Sequence, residues 1–175
     1  MGLTAPDLIK DLKHMAWVSQ IVLREYPNDY APNEPYKTTN AKFVSEVTVR
    51  LPTEELTRRG KPKPQRRRMD LVAVVLPHIK IWQPLLIGVE VKVSKSDLMG
   101  DNKISDYLNY CHLFYLAVPV DLVDLAKAKV ANLNGVGILA DSGGKVNIIL
   151  HATRRDLSAE NQRDIQSELL LKPLR

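Results

Sequence analysis

The segment LLIGVEVKVS, residues 85–94, constrains the fold more than any other. Leu, Ile and Val dominate it, as in a buried strand, yet Glu90 and Lys92 interrupt the run. Side chains alternate along a strand, so Glu90 and Lys92 share one face while Val89, Val91 and Val93 share the other. The valine face suits packing against a helix. The charged face needs pairing or a ligand, because burying an uncompensated charge is costly. An edge strand with a solvated face and a weak Glu90–Lys92 ion pair would read the same way.

The rest of the chain supplies the layers such a strand requires. Residues 4–26 read as one helix, with Thr4 as cap, Asp7 three residues on, and Pro27 as its stop. A Pro- and Asn-rich loop follows. KFVSEVTVRL, residues 42–51, alternates and is rich in β-branched residues, which predicts a strand. Its expected faces are Phe43, Ser45, Val47 and Val49 against Val44, Glu46, Thr48 and Arg50. RMDLVAVVL, residues 68–76, predicts a second strand, joined to the third by the short PHIKIWQP in an antiparallel hairpin. Residues 96–110 read as a helix with Ser96 as cap and Gly100 as its weak point. HLFYLAVP predicts a strand, DLVDLAKAKVANL a helix, VGILA and VNIIL a strand pair turned by DSGGK, and SAENQRDIQSELLL a closing helix. The expected order is α-β-β-β-α-β-α-β-β-α. That predicts an α/β fold with a mixed central sheet flanked by helices.

The 175 residues suit one domain, with 45% hydrophobic and 26% charged residues. No window approaches a membrane-spanning run, and the N-terminus is too charged for a secretory signal. The single cysteine, Cys111, cannot form an internal disulfide, which points to a reducing cytoplasm.

Asp70 opens the second strand, 20 residues before Glu90. A hairpin brings the two carboxylates together, where they repel unless a divalent cation bridges them. Hard oxygen ligands of this kind suit Mg²⁺, or Mn²⁺, together with waters and a substrate phosphate. The backbone carbonyl of Val91 is a candidate further ligand. Lys92 can orient an attacking water or stabilise negative charge developing at phosphorus.

Charge is concentrated nearby. RRGKPKPQRRR, residues 58–68, holds seven basic residues (Arg58, Arg59, Lys61, Lys63, Arg66, Arg67 and Arg68) and no acid, and taking those seven from the net +5 leaves −2. A local excess of this kind suits a polyanion such as DNA, although a solvated basic loop has the same composition.

MD at 69–70 followed by EVK at 90–92, set in strand, hairpin, strand and helix, resembles the PD-(D/E)XK nuclease superfamily. FVSEVTV, RRRMDLVAVV, EVKVSKSDLMGDNKISDYLNYC, FYLAVP and GVGILAD together resemble its MmcB-like DNA repair branch. The resemblance implies a restriction-endonuclease-like core over residues 1–175, a metal-dependent nuclease activity and a role in DNA repair. It also implies Asp70, Glu90 and Lys92 as the catalytic set, with Glu46 matching a further acid. Glu25 is a rival third acid, since many members carry one on the first helix. The chain departs from the pattern at Met69, where a proline is usual, at Ile104, where a tryptophan is usual, and in a basic insertion at about 52–67.

Other residues carry alternatives. Ser94 and Lys95 leave the third strand where a scissile phosphate would lie. Asp97, Asp101, Lys103 and Tyr107 follow; Lys103 and Tyr107, four apart on a helix, could hold phosphate, support the site or simply form a polar surface. Trp82 could stack on a base. Cys111 and His112 lack the partners of a nucleophilic or zinc site. Members that cut both strands often act as homodimers, and the sequence shows no dimer face. A non-cleaving DNA-binding repair accessory, or an RNA- or protein-binding domain, are the competing readings.

Overall fold

The computed structural model describes residues 3–26, 40–61, 63, 65–76 and 84–171. The loop expected at 27–35 falls wholly outside them, as does Trp82 with most of its hairpin. One six-stranded sheet runs through the chain in the order β1-β2-β3-β4-β5-β6. Its strands are β1 (Asn40–Leu51), β2 (Gln65–Leu76), β3 (Leu85–Val91), β4 (Leu113–Pro119), β5 (Gly137–Asp141) and β6 (Val146–Leu150). β1, β2 and β3 form an antiparallel meander, β3, β4 and β5 run parallel, and β6 returns antiparallel. This is the expected α/β class with a mixed sheet.

The apolar runs of β3 and β4 lie at its centre. Every residue of β3 is buried, as is β4 up to Val118. Gly88 lets β3 sit close to its neighbours: a Cβ there would fall 2.5 Å from Cys111 Sγ and 2.9 Å from Phe114 Cδ2.

Helices cover both faces. α1 (Ala5–Leu12) and α2 (Ala16–Glu25) lie on the valine face, where Leu8, Leu12, Trp17 and Ile21 pack with Val89 and Val91. The single helix expected over 4–26 is broken at residues 13–15. Trp17 Nε1 donates to the Leu12 carbonyl (2.7 Å), and the break allows both the Leu8–Leu12 stripe and the Trp17–Val22 stripe to face the sheet. Thr4 and Asp7 form the expected capping box.

α3 (Lys95–Gly100), α4 (Ile104–Tyr107), α5 (Val123–Val130) and α6 (Ala159–Leu171) cover the opposite face through Leu98, Tyr107, Ala126, Val130 and Ile165. The helix expected over 96–110 is two helices parted at Asp101–Lys103, directly after Gly100. Its cap is Ser94, whose hydroxyl accepts from the Asp97 amide (3.2 Å), and not Ser96.

The first hairpin departs most from simple alternation. Phe43 packs on the α1–α2 side, but Val44, Val47 and Val49 all pack on the α3–α6 side. The parity reverses at Glu46, whose φ is +56°. β2 reverses at the facing position: Met69 and Val72 share one side while Leu71 and Ala73 take the other. The expected grouping of Phe43 with Val47 and Val49 is therefore corrected, because one left-handed residue flips the pleat.

β2 pairs with β3 only from Leu71 to Val75. Beyond that, β1 and β2 continue together as a two-stranded ribbon from Val47 opposite Met69 to Leu51 opposite Gln65. Arg66 and Arg67 are strand residues of this ribbon, not residues of the connecting loop as expected, and Arg68 lies in the strand as expected. The connection at its end is turned tightly, with Gly60 at φ +71° and Thr57 and Lys61 hydrogen-bonded across it.

Candidate nucleic-acid cleft and acidic centre

Where the ribbon parts from β3, a cleft of about 500 Å³ opens. It lies outside the carboxyl end of β3, the place where ligands enter α/β sheets. One wall is Arg66, Arg67 and Arg68 of β2; the other is the α3–α4 segment; the floor is Asp70, Glu90 and Lys92.

Asp70 is the first β2 residue beyond the β2–β3 ladder. Its Oδ2 accepts from the Val91 amide at 2.8 Å, which ties the two strands where backbone pairing stops. What Val91 visibly contributes is thus its amide; the expectation concerned its carbonyl. Burial raises the Asp70 carboxyl above its ordinary value, against the lowering effect of the Val91 hydrogen bond.

Glu90 is 6% exposed. Its Oε1 accepts from Lys92 Nζ at 2.9 Å, while its Oε2 is buried without a hydrogen-bond partner. Burial, and then the nearby Asp70 charge, push its carboxyl up to about 7. Lys92 lies among three carboxylates: Nζ is 2.9 Å from Glu90, 2.8 Å from Asp101 Oδ2 and 3.5 Å from Asp97 Oδ1. Burial alone would lower its affinity for a proton, but the hydrogen bonds to Asp101 and Glu90 outweigh burial and the ammonium is held well above its ordinary value.

Asp101 was expected only to follow the motif. It is 8% exposed, and the end of α3 at Gly100 turns it inward. Its Oδ1 accepts from the Lys103 amide at 2.7 Å. Burial opposes ionisation, but the Lys92 and Lys103 hydrogen bonds prevail and lower its carboxyl. The signal for this residue was the Gly-Asp-Asn interruption in an otherwise helical stretch.

The remaining expected residues divide. Lys103 lines the cleft, and so do Asp97 and Ser96, which sequence reasoning took for a cap. Tyr107 also lines it, but is no surface residue: its ring stacks on Phe114 at 5.7 Å and its hydroxyl donates to the Arg68 carbonyl (3.0 Å). Arg67 Nε meets Asp106 at 2.9 Å, a pairing the sequence did not suggest.

Glu46 is not among the cleft-lining residues, and its Oε1 lies 3.2 Å from Arg68. Glu25 lies on α2, across the sheet, where its charge bears on Tyr115 and His151. The Ser94 hydroxyl is occupied by its cap, and Lys95 is exposed beside it; neither lines the cleft. Arg58, Arg59, Lys61 and Lys63 are exposed at the end of the ribbon, Lys63 at 3.1 Å from Glu55. Cys111 is buried against Met69, and burial pushes its thiol up to about 12, which makes it inert. His112 accepts the Leu86 amide through Nδ1 (3.0 Å), a structural role.

Among the described residues, no group of three or more His, Cys, Asp or Glu side chains is arranged to hold a metal ion. Asp70 and Glu90 form a two-carboxylate set, which is the number Mg²⁺ takes when waters and phosphate complete its shell. The buried, unsatisfied Glu90 Oε2 beside a second carboxylate fits a cation. Among the described residues, no helix is long and apolar enough to cross a membrane.

A comparison with models of protein families finds no match, and a comparison with curated proteins finds none. Among solved structures the chain is similar to a protein of unknown function from Silicibacter pomeroyi, at 18% identity and a TM-score of 0.48, covering 75% of this chain and 73% of that one.

Proposed function

We propose that the protein is a metal-dependent DNA nuclease of the PD-(D/E)XK superfamily, of its MmcB-like branch, acting in repair or recombination. The observation that carries the reading is the meeting of Asp70, Glu90 and Lys92 at the end of β3, in a cleft whose other wall is arginine. Asp70 and Glu90 would hold Mg²⁺ or Mn²⁺, with the Val91 carbonyl as the further candidate. Such an ion, when bound, polarises a phosphate oxygen and makes water a better nucleophile.

The chain's own residues do the rest. Lys92 stays protonated between Glu90 and Asp101, so it acts as a donor and a positive charge. It orients the attacking water and faces charge developing at phosphorus; it does not accept the proton. Asp101 holds the ammonium together with Glu90. Arg66, Arg67, Arg68 and Lys103 bind phosphates, contacts that position a nucleic acid without reading its sequence.

Purified protein incubated with single-stranded, duplex and branched DNA and Mg²⁺ or Mn²⁺ tests this. Cleavage is expected, with Lys92→Ala slower by about 10²–10³-fold. Absence of cut product on every substrate, or equal cutting by the alanine variant, removes the catalytic reading.

A second reading, a DNA-binding repair accessory that does not cut, draws on the carboxylates surrounding Lys92 and on the absence of a larger ligand cluster among the described residues. Metal titration alongside the cleavage assay separates the two.

A further inference from the structure

The ribbon extends the basic wall of the cleft outward through Arg50, which does not line the cleft. On its inner face Val47, Val49 and Met69 are buried, and Arg67 is tied to Asp106. Tyr107 and Tyr110 donate their hydroxyls to the Arg68 and Arg50 carbonyls, so the ribbon is clamped onto the α4 side. Its outer face presents Thr48, Arg50, Arg66 and Arg68; all three arginines are exposed, Arg66 and Arg68 reach the cleft as well, and Arg68 meets Glu46 at 3.2 Å. Arg50 stands directly opposite Arg66. Like charges facing one another across a strand pair are destabilising. No carboxylate among the described residues lies within ion-pair distance of either. Arg58 and Arg59 continue the charge at the turn.

Such an array is stabilised by a polyanion, and its shape selects which one. Five residues per strand at ~3.3 Å each make an arm of roughly 16 Å, two strands ~4.8 Å apart. The major groove of B-form DNA, about 12 Å wide, admits a two-stranded ribbon, whereas the deep narrow major groove of duplex RNA does not. Single-strand binders stack bases on aromatic side chains. Residues 44–70 contain no aromatic residue. The aromatic in the cleft, Tyr107, already stacks on Phe114.

We infer that the outer face of the β1–β2 ribbon docks on duplex DNA, with Arg50 and Arg66 contacting phosphates across a groove and leading the duplex toward the acidic centre. This rests on nucleic acid as the partner in the proposed function, but not on cleavage.

The test is binding, measured in EDTA so that no cutting enters, to a duplex of about 20 base pairs, the matching single strand and the matching RNA duplex across a salt series. Wild type is expected to prefer duplex DNA. In Arg50→Gln/Arg66→Gln the slope of log affinity against log salt should fall by about 2, one per phosphate contact removed. Both side chains are exposed and face each other, so the variant should melt no lower than wild type, which separates lost contact from lost fold. Duplex binding with an unchanged salt slope overturns the inference, as does equal binding of the single strand or RNA duplex. Failure to bind any nucleic acid overturns the proposed function as well.

Discussion

Glu90 shows how one carboxyl can be kept at a cost in stability. It is buried beside Asp70, which raises its carboxyl to about 7 from 4.5. A raised folded-state value favours the native state below the unfolded value and loses that advantage as pH rises through the folded one. The contribution is therefore full below about pH 4.5 and gone above about pH 7. Replacing the acid with an amide removes the ionisation. In metal-free buffer, Glu90→Gln should be more stable than wild type by on the order of 2 kcal/mol at pH 8, with the gap closing at pH 5. Thermal melts of both proteins at the two pH values check this; a gap that does not change with pH would mean that Glu90 is not the group that titrates. Lys92 and Glu90 could be read from strand parity. Asp101 could not, because its inward turn depends on a helix break that local pattern marks only as a weak Gly100.

At the scale of elements, the first hairpin is where alternation stops being a guide. The β-branched run correctly predicts a strand, but Glu46 at φ +56° reverses which residues reach the core. Left-handed backbone is easy for glycine and costly for a β-branched side chain. Glu46→Gly should therefore match or exceed wild type in stability, by up to ~1 kcal/mol, while Glu46→Val should lose about 1–2 kcal/mol. Urea unfolding of the two variants gives both values; a valine variant as stable as the glycine one would contradict the strain. The basic run shows the same limit. Its composition was legible, but three of its arginines belong to a strand, because Met69 and Val72 continue the pattern inward and Tyr107 and Asp106 hold Arg68 and Arg67 from another element.

At the scale of the molecule, α6 backs the ribbon. Ile165 is fully buried and Leu169 nearly so, in the cluster that holds Val44, Val47 and Val49. Ile165→Ala should cost about 2–4 kcal/mol, the usual range for a truncated core aliphatic. Chemical denaturation checks it; a loss under ~1 kcal/mol would mean the helix packs loosely. The sequence by itself determined the α/β class, the antiparallel entry into a mixed sheet, and the pairing of Glu90 with Lys92 on one face. Those follow from local periodicity and chain order, which need no distant partner. Only the tertiary structure decided that Asp101 closes around Lys92, that Glu46 lies outside the cleft, and that the basic run is half strand. Each of these depends on contacts between residues far apart in the chain, where backbone twist and packing, not local pattern, choose which side chains meet.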